Sequence, residues 1–90
     1  MSTLMLTDGT ILTVAPKSGK KFKLKEAQDF VKGFVELVYF PDNTMLIVNE
    51  EGIIKDLPYN HVATEVVKSY FGDNVQKFYG DIIWCNQNEF

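Results

Sequence analysis

Phe34-Val35-Glu36-Leu37-Val38-Tyr39-Phe40, then Pro41-Asp42-Asn43, then Thr44-Met45-Leu46-Ile47-Val48, is the longest apolar region of the chain and organises the rest. Two β-prone runs flank a turn. Proline presets its first position, and Asn43 tolerates the left-handed conformation that closes such a loop. Glu36 alone interrupts the first run, and the second carries no charge before Glu50. Runs that are apolar at successive positions suit strands covered on both faces, so this hairpin is expected in the middle of a sheet.

Working toward the N-terminus, Lys21-Phe22-Lys23-Leu24 alternates polar and apolar and predicts a short half-buried strand. Glu26 to Lys32 fits two turns of helix, with Ala27, Phe30 and Val31 on one face and Gly33 as the stop. The position before it offers no Ser, Thr, Asp or Asn cap, so this helix depends on packing. Pro16-Lys17-Ser18-Gly19 breaks the chain, and Asp8-Gly9 between two apolar runs predicts a β-hairpin over about residues 4–14.

Toward the C-terminus, Asn49-Glu50-Glu51-Gly52 reads as a turn and Ile53 to Leu57 as a connector. Asn60 then caps a helix from His61 to about Phe71, ended by Gly72, whose Val62/Val66/Tyr70 and Ala63/Val67/Phe71 stripes must lie on the sheet. Phe78 to Trp84 predicts a last strand, and the polar tail 86–90 is expected to fray. The sum is one α+β domain with a core over about residues 21–85. Its sheet is small and antiparallel or mixed, with two helices packed mainly on one face.

Composition narrows function by exclusion. The 90 residues carry nine Lys, no Arg and a net charge of −3. That balance disfavours binding to double-stranded nucleic acid, where phosphates call for a basic surface and guanine for a guanidinium fork. The charge is unevenly spread: six Lys face five acids in residues 1–45, and three face seven in residues 46–90. Cys85, the single cysteine, excludes an intramolecular disulfide and a cysteine zinc site, and as a nucleophile it would need the single histidine, His61. The N-terminal residues lack the pattern of a signal peptide, and no apolar stretch approaches a membrane span, so the expectation is a cytoplasmic protein. Twelve aromatic residues exceed what so small a core must hold, which predicts an exposed patch and a homo-oligomer, a dimer or higher.

The candidate chemistry is binding chemistry. Tyr59, Asn60 and Thr64 stand where a helix N-terminus would offer backbone N–H groups to a phosphate, with Tyr59 placed to stack on a base. Lys17, Lys20 and Lys21 around Ser18-Gly19 form a basic loop able to close on an anion, although the P-loop pattern itself is absent. Asn49 and Glu50 could bond ribose hydroxyls. Neighbouring glutamates Glu50 and Glu51 would have to converge for acid–base work, which adjacent strand residues do not do. No cofactor and no metal site is expected.

From Gln28 onward a set of short motifs gathers: Gly33-Phe34-Val35-Glu36, Pro41-Asp42, Val48-Asn49-Glu50-Glu51-Gly52, Leu57-Pro58-Tyr59-Asn60 with Ala63-Thr64, and Gly80-Asp81. Over about residues 26–84 the chain resembles a family of small uncharacterised proteins of bacteriophages and mobile elements. The resemblance implies a genomic setting in which accessory proteins act against host defence, and it implies no catalytic residues. The leading expectation is a non-catalytic accessory protein that sequesters a small nucleotide-type signal near Tyr59, Asn60 and Thr64. The alternative is an interaction module that inhibits a host protein through its acidic second half. A small hydrolase using Glu50, Glu51 or His61 ranks third.

Overall fold

A computed structural model describes residues 2–52 and 55–90. Along the chain run β1 (Ser2–Met5), β2 (Ile11–Val14), α1 (Leu24–Val31), β3 (Val35–Tyr39), β4 (Thr44–Asn49), α2 (His61–Phe71), β5 (Ile82–Asn86) and a closing 3-10 turn, Gln87–Glu89. The strands form one sheet in the order β2-β1-β5-β4-β3, antiparallel at every pairing. The α+β class and the antiparallel sheet are as expected. Ile53 and Ile54, which begin the expected connector, lie outside the described residues.

The helices do not share a face. In register, Leu4 faces Ile83, Ile83 faces Ile47, and Met45 faces Cys85; these side chains pack with Ala27 and Val31 of α1. The alternate residues Met5, Ile82, Leu46 and Val48 pack with Ala63 and Val67 of α2. Successive strand residues point to opposite faces, so α1 covers one side of the sheet and α2 the other. Double cover explains the apolar run of β4, whose Met45, Leu46 and Ile47 are all fully buried. Removing each such side chain from water contributes about 1.5–3 kcal/mol.

The β3–β4 hairpin is therefore only half central. β4 is interior, but β3 is an edge strand, with Phe34 and Tyr39 exposed at its ends. Its apolar character has a simpler cause: Val35 and Leu37 pack toward α1 and Val38 toward α2, each partly buried.

Three local expectations also change. Residues 21–23 form no strand; Phe22 is buried and its N–H donates to Glu89 O at 2.6 Å. α1 starts at Leu24, and its missing cap is supplied by Glu26, whose carboxylate accepts from the N–H groups of Lys23 (3.3 Å) and Lys17 (2.9 Å). It is Lys32, at φ 64°, that takes the left-handed stop, while Gly33 is required by a close approach: a Cβ there would sit 2.6 Å from Asn49 Nδ2.

The tail is held rather than frayed. Gln87 Nε2 donates to Phe40 O and Thr44 O, the Glu89 carboxylate accepts from Ser2 Oγ and Asn86 N, and Phe90 packs against the α1-side core. Burial works to raise the Glu89 pKa, but opposing interactions, among them hydrogen bonds from the Asn86 N–H and the Ser2 hydroxyl, leave the carboxyl below its ordinary value.

Candidate functional site

A cleft of about 290 Å³ opens where the turn after β4 meets the segment before β5. One wall is the Asn49–Gly52 turn, which its first residue builds. Asn49 Oδ1 accepts from Glu51 N at 2.8 Å, while Nδ2 donates to Val31 O at 2.9 Å, tying the turn to the end of α1. Gly52 lets this wall approach the other, since a Cβ there would meet Tyr79 O at 3.1 Å. The second wall is Gln76 to Tyr79, and Val48 with Glu36 opposite it in register completes the lining.

Asn60 and Thr64 fix the second wall from behind. Both are buried. Asn60 Nδ2 donates to Met5 O (2.9 Å) and Gly80 O (2.8 Å), and its Oδ1 accepts from Ala63 N (3.0 Å). Thr64 Oγ1 donates to Asn60 O and accepts from Phe78 N. Asn60 N also donates to Phe78 O, and Tyr59 pairs with Tyr79 in an isolated antiparallel bridge. The expectation that Asn60 and Thr64 contact a ligand is thus corrected: their polar atoms are spent on the backbone, and they position the cleft.

Tyr59 remains available. Its exposed ring meets Tyr79 edge-on with centroids 5.8 Å apart, and Lys77 Nζ lies 5.9 Å from its centre. Three carboxylates, Glu36, Glu50 and Glu51, share the lining with one ammonium, Lys77. Among the described residues no ion pair engages any of the three. The cleft is therefore net acidic with an aromatic rim, a combination that suits an amine or guanidinium carried on an apolar stem.

The structure brings Asn49 and Glu50 into the lining of this cleft, sets Tyr59 beside it against Tyr79 and Lys77, and leaves Lys17, Lys20 and Lys21 out of it. Val48 and Phe78 place the cleft on the α2 side of the sheet, whereas Lys17 lies beside Glu26, Asp29 and Phe30 of α1. The Lys loop is also closed on itself: Ser18 Oγ accepts from the N–H groups of Lys20 and Lys21 and donates to Lys21 O. Sequence reasoning missed Glu36, Gln76, Lys77 and Tyr79. A signal existed for Glu36, the single charge in an otherwise apolar strand.

Cys85 and His61 do not form a pair. Cys85 belongs to the α1-side core, and burial pushes its thiol up to about 12, while His61 is exposed at the start of α2 on the other side. Among the described residues no group of three or more His, Cys, Asp or Glu side chains is placed to hold a metal ion. No helix among them is long and apolar enough to cross a membrane.

A family model described as a domain of unknown function, DUF3846, matches residues 1–90. The chain belongs to the DUF3846 family. The match takes in the first 25 residues, beyond the motifs of residues 26–84, so the β1–β2 hairpin and the Lys loop are part of the DUF3846 domain. Neither the curated proteins nor the solved structures contain a match to this chain.

Proposed function

We propose that this DUF3846 protein is a non-catalytic interaction module whose acidic cleft receives a basic side chain of a partner protein. The observation that carries this reading is the cleft itself: Glu36, Glu50 and Glu51 without ionic partners among the described residues, beside the Tyr59–Tyr79 pair. Carboxylates on a rim steer a cationic segment and set its orientation, while the tyrosines give its methylene stem apolar contact. The resemblance to proteins of bacteriophages and mobile elements supports a host protein as the partner and inhibition as the outcome.

Sequestration of a nucleotide-type signal is less well supported by the same geometry. Its lysines lie across the sheet from Tyr59, two of its polar contacts are buried, and the cleft lining repels phosphate.

The test is a titration of isotope-labelled protein, followed by backbone amide shifts, with a short Lys/Arg-rich peptide, an acidic peptide and a panel of cyclic and ADP-ribose-type nucleotides. The basic peptide alone is expected to shift Glu50, Glu51, Gly52, Lys77 and Tyr79, with affinity falling as salt rises. The triple variant Glu36→Gln, Glu50→Gln, Glu51→Gln should abolish the shifts and leave the melting temperature unchanged. Binding of a nucleotide in place of the peptide would overturn the reading, as would peptide binding indifferent to the triple variant.

A further inference from the structure

The β2 edge lies apart from the cleft, at the opposite edge of the sheet from β3. From Gly9 to Pro16 the chain has no charged residue, and the run is bounded by Asp8 at one end and Lys17 at the other. Natural edge strands are guarded by shortness, charge, proline or a bulge; Ile11-Leu12-Thr13-Val14 is short, at four residues, but carries no charge, proline or bulge. Ile11 is 59% and Leu12 44% exposed, and they point to opposite faces of the sheet.

The hydrogen-bond phase of the hairpin shows what this edge offers. Leu6 N donates to Thr10 O at 2.9 Å, so Leu6 and Thr10 form a hydrogen-bonded pair. Such pairs alternate with non-bonded ones, so Leu4–Leu12 and Ser2–Val14 are bonded, while Met5–Ile11 and Thr3–Thr13 are not. The N–H and C=O groups of Ile11 and Thr13 therefore point away from β1, at the open edge of the sheet.

We propose that this edge pairs with the same edge of a second copy, antiparallel about a two-fold axis through Leu12, joining two five-stranded sheets into one. Ile11 then exchanges both backbone bonds with the partner's Thr13, and Thr13 with the partner's Ile11. Leu12 meets the partner's Leu12 as a close non-bonded pair. Antiparallel pairing about Leu12 also sets the Asp8 end of each strand beside the Lys17 end of the other. The uncharged run is thus self-complementary in hydrogen bonding, in apolar contact and in the charges at its ends. The other edge, β3, carries Glu36 and borders the cleft. A contact this short makes the dimer concentration-dependent.

Sedimentation equilibrium of the full chain tests the proposal. The mass is expected to rise from 10.3 kDa toward twice that value as concentration increases through the micromolar range. Thr13→Pro removes only an outward N–H and should give a monomer with an unchanged circular dichroism spectrum. Ile11→Lys places a guarding charge on the edge and should do the same, and it stands in if the proline variant fails to fold. Leu12→Cys should form a disulfide-linked dimer on mild oxidation, because directly opposite non-bonded residues lie about 4.5 Å apart at Cα. A wild-type protein that stays monomeric overturns the proposal. So does a dimer that survives both edge variants, or a Leu12→Cys protein that dimerises without cross-linking.

Discussion

The two hairpins on either side of β5 turn on the same chemistry and end in different surroundings. In one, Asp8 is followed by Gly9 at φ 91° and Thr10; in the other, Asp42 is followed by Asn43 at φ 70° and Thr44. Each aspartate accepts from the N–H of the threonine two residues on, at 2.8 Å in the first turn and 3.1 Å in the second. The inner strands, β1 and β4, both flank β5, and the outer strands, β2 and β3, are the two edges. Yet β4 is buried along almost its whole length, and β2 is exposed along most of its own. The second turn is also tied into the body. Asp42 accepts from Thr44 Oγ1 and Tyr70 Oη, and Thr44 Oγ1 accepts from Trp84 Nε1, joining the turn to α2 and β5. Turn chemistry thus sets where a hairpin forms; cover by helices sets how much stability it contributes.

Truncating one strand residue in each hairpin should separate the two most. Ile47 of β4 is wholly buried and touches the α1-side core; Ile47→Ala should cost about 3–4 kcal/mol in urea denaturation. Leu12→Ala in β2 should cost less than about 1 kcal/mol, since nearly half of that side chain is already in water. Equal losses would mean that β2 is as well covered as β4 in solution. If β2 pairs with a second copy, the Leu12→Ala loss should grow with protein concentration and the Ile47→Ala difference should not.

A smaller effect separates the turns. Gly9→Ala forces a Cβ into the left-handed region with no contact to compensate, and should destabilise by about 1 kcal/mol. Asn43→Gly, at the matching position, should change stability by no more than about 0.5 kcal/mol, because asparagine already tolerates that conformation. A large loss from Asn43→Gly would show that its side chain contributes more than permission to turn.

Much of this architecture was readable from local signals. Asp8-Gly9 and Pro41-Asp42-Asn43 marked both turns, Asn60 and Gly72 bounded α2, and the uncharged Met45–Val48 run marked an interior strand. What stayed hidden depends on partners distant in sequence. β3 and β4 look alike in composition, and only the insertion of β5 between β1 and β4 makes one an edge and the other interior. The same insertion buries β4 and β5 on both faces and so gives each helix a face of its own. Asn60 and Thr64 look like surface polar residues until Met5, Phe78 and Gly80 are brought to them. Gln87 and Glu89 look like a solvated tail for the same reason, although their side chains satisfy backbone groups of residues 40, 44 and 86. The cleft joins positions 36, 48–52 and 76–79, a convergence no local pattern encodes.

The smallest effect is electrostatic, and it compares the two aspartates directly. Bonding to Thr10 lowers the Asp8 pKa, and bonding to Thr44 and then Tyr70 lowers that of Asp42, both from an ordinary 3.8. A carboxyl whose folded pKa is depressed contributes stability that is fully present above the unfolded pKa and is lost as pH falls through the folded one. The chain should therefore lose stability as pH drops below about 4, where the unfolded state binds protons first. In Asp8→Asn and Asp42→Asn the acid slope should flatten, and the flattening should be larger for Asp42, which has the additional Tyr70 partner. Glu89, held down by Asn86 and Ser2, keeps part of the slope in both variants. Denaturation midpoints measured between pH 5 and pH 3 decide the order. An equal change at the two sites would mean that the Tyr70 hydroxyl adds nothing to the ionised Asp42, and that the two turns differ only in what covers the strands they join.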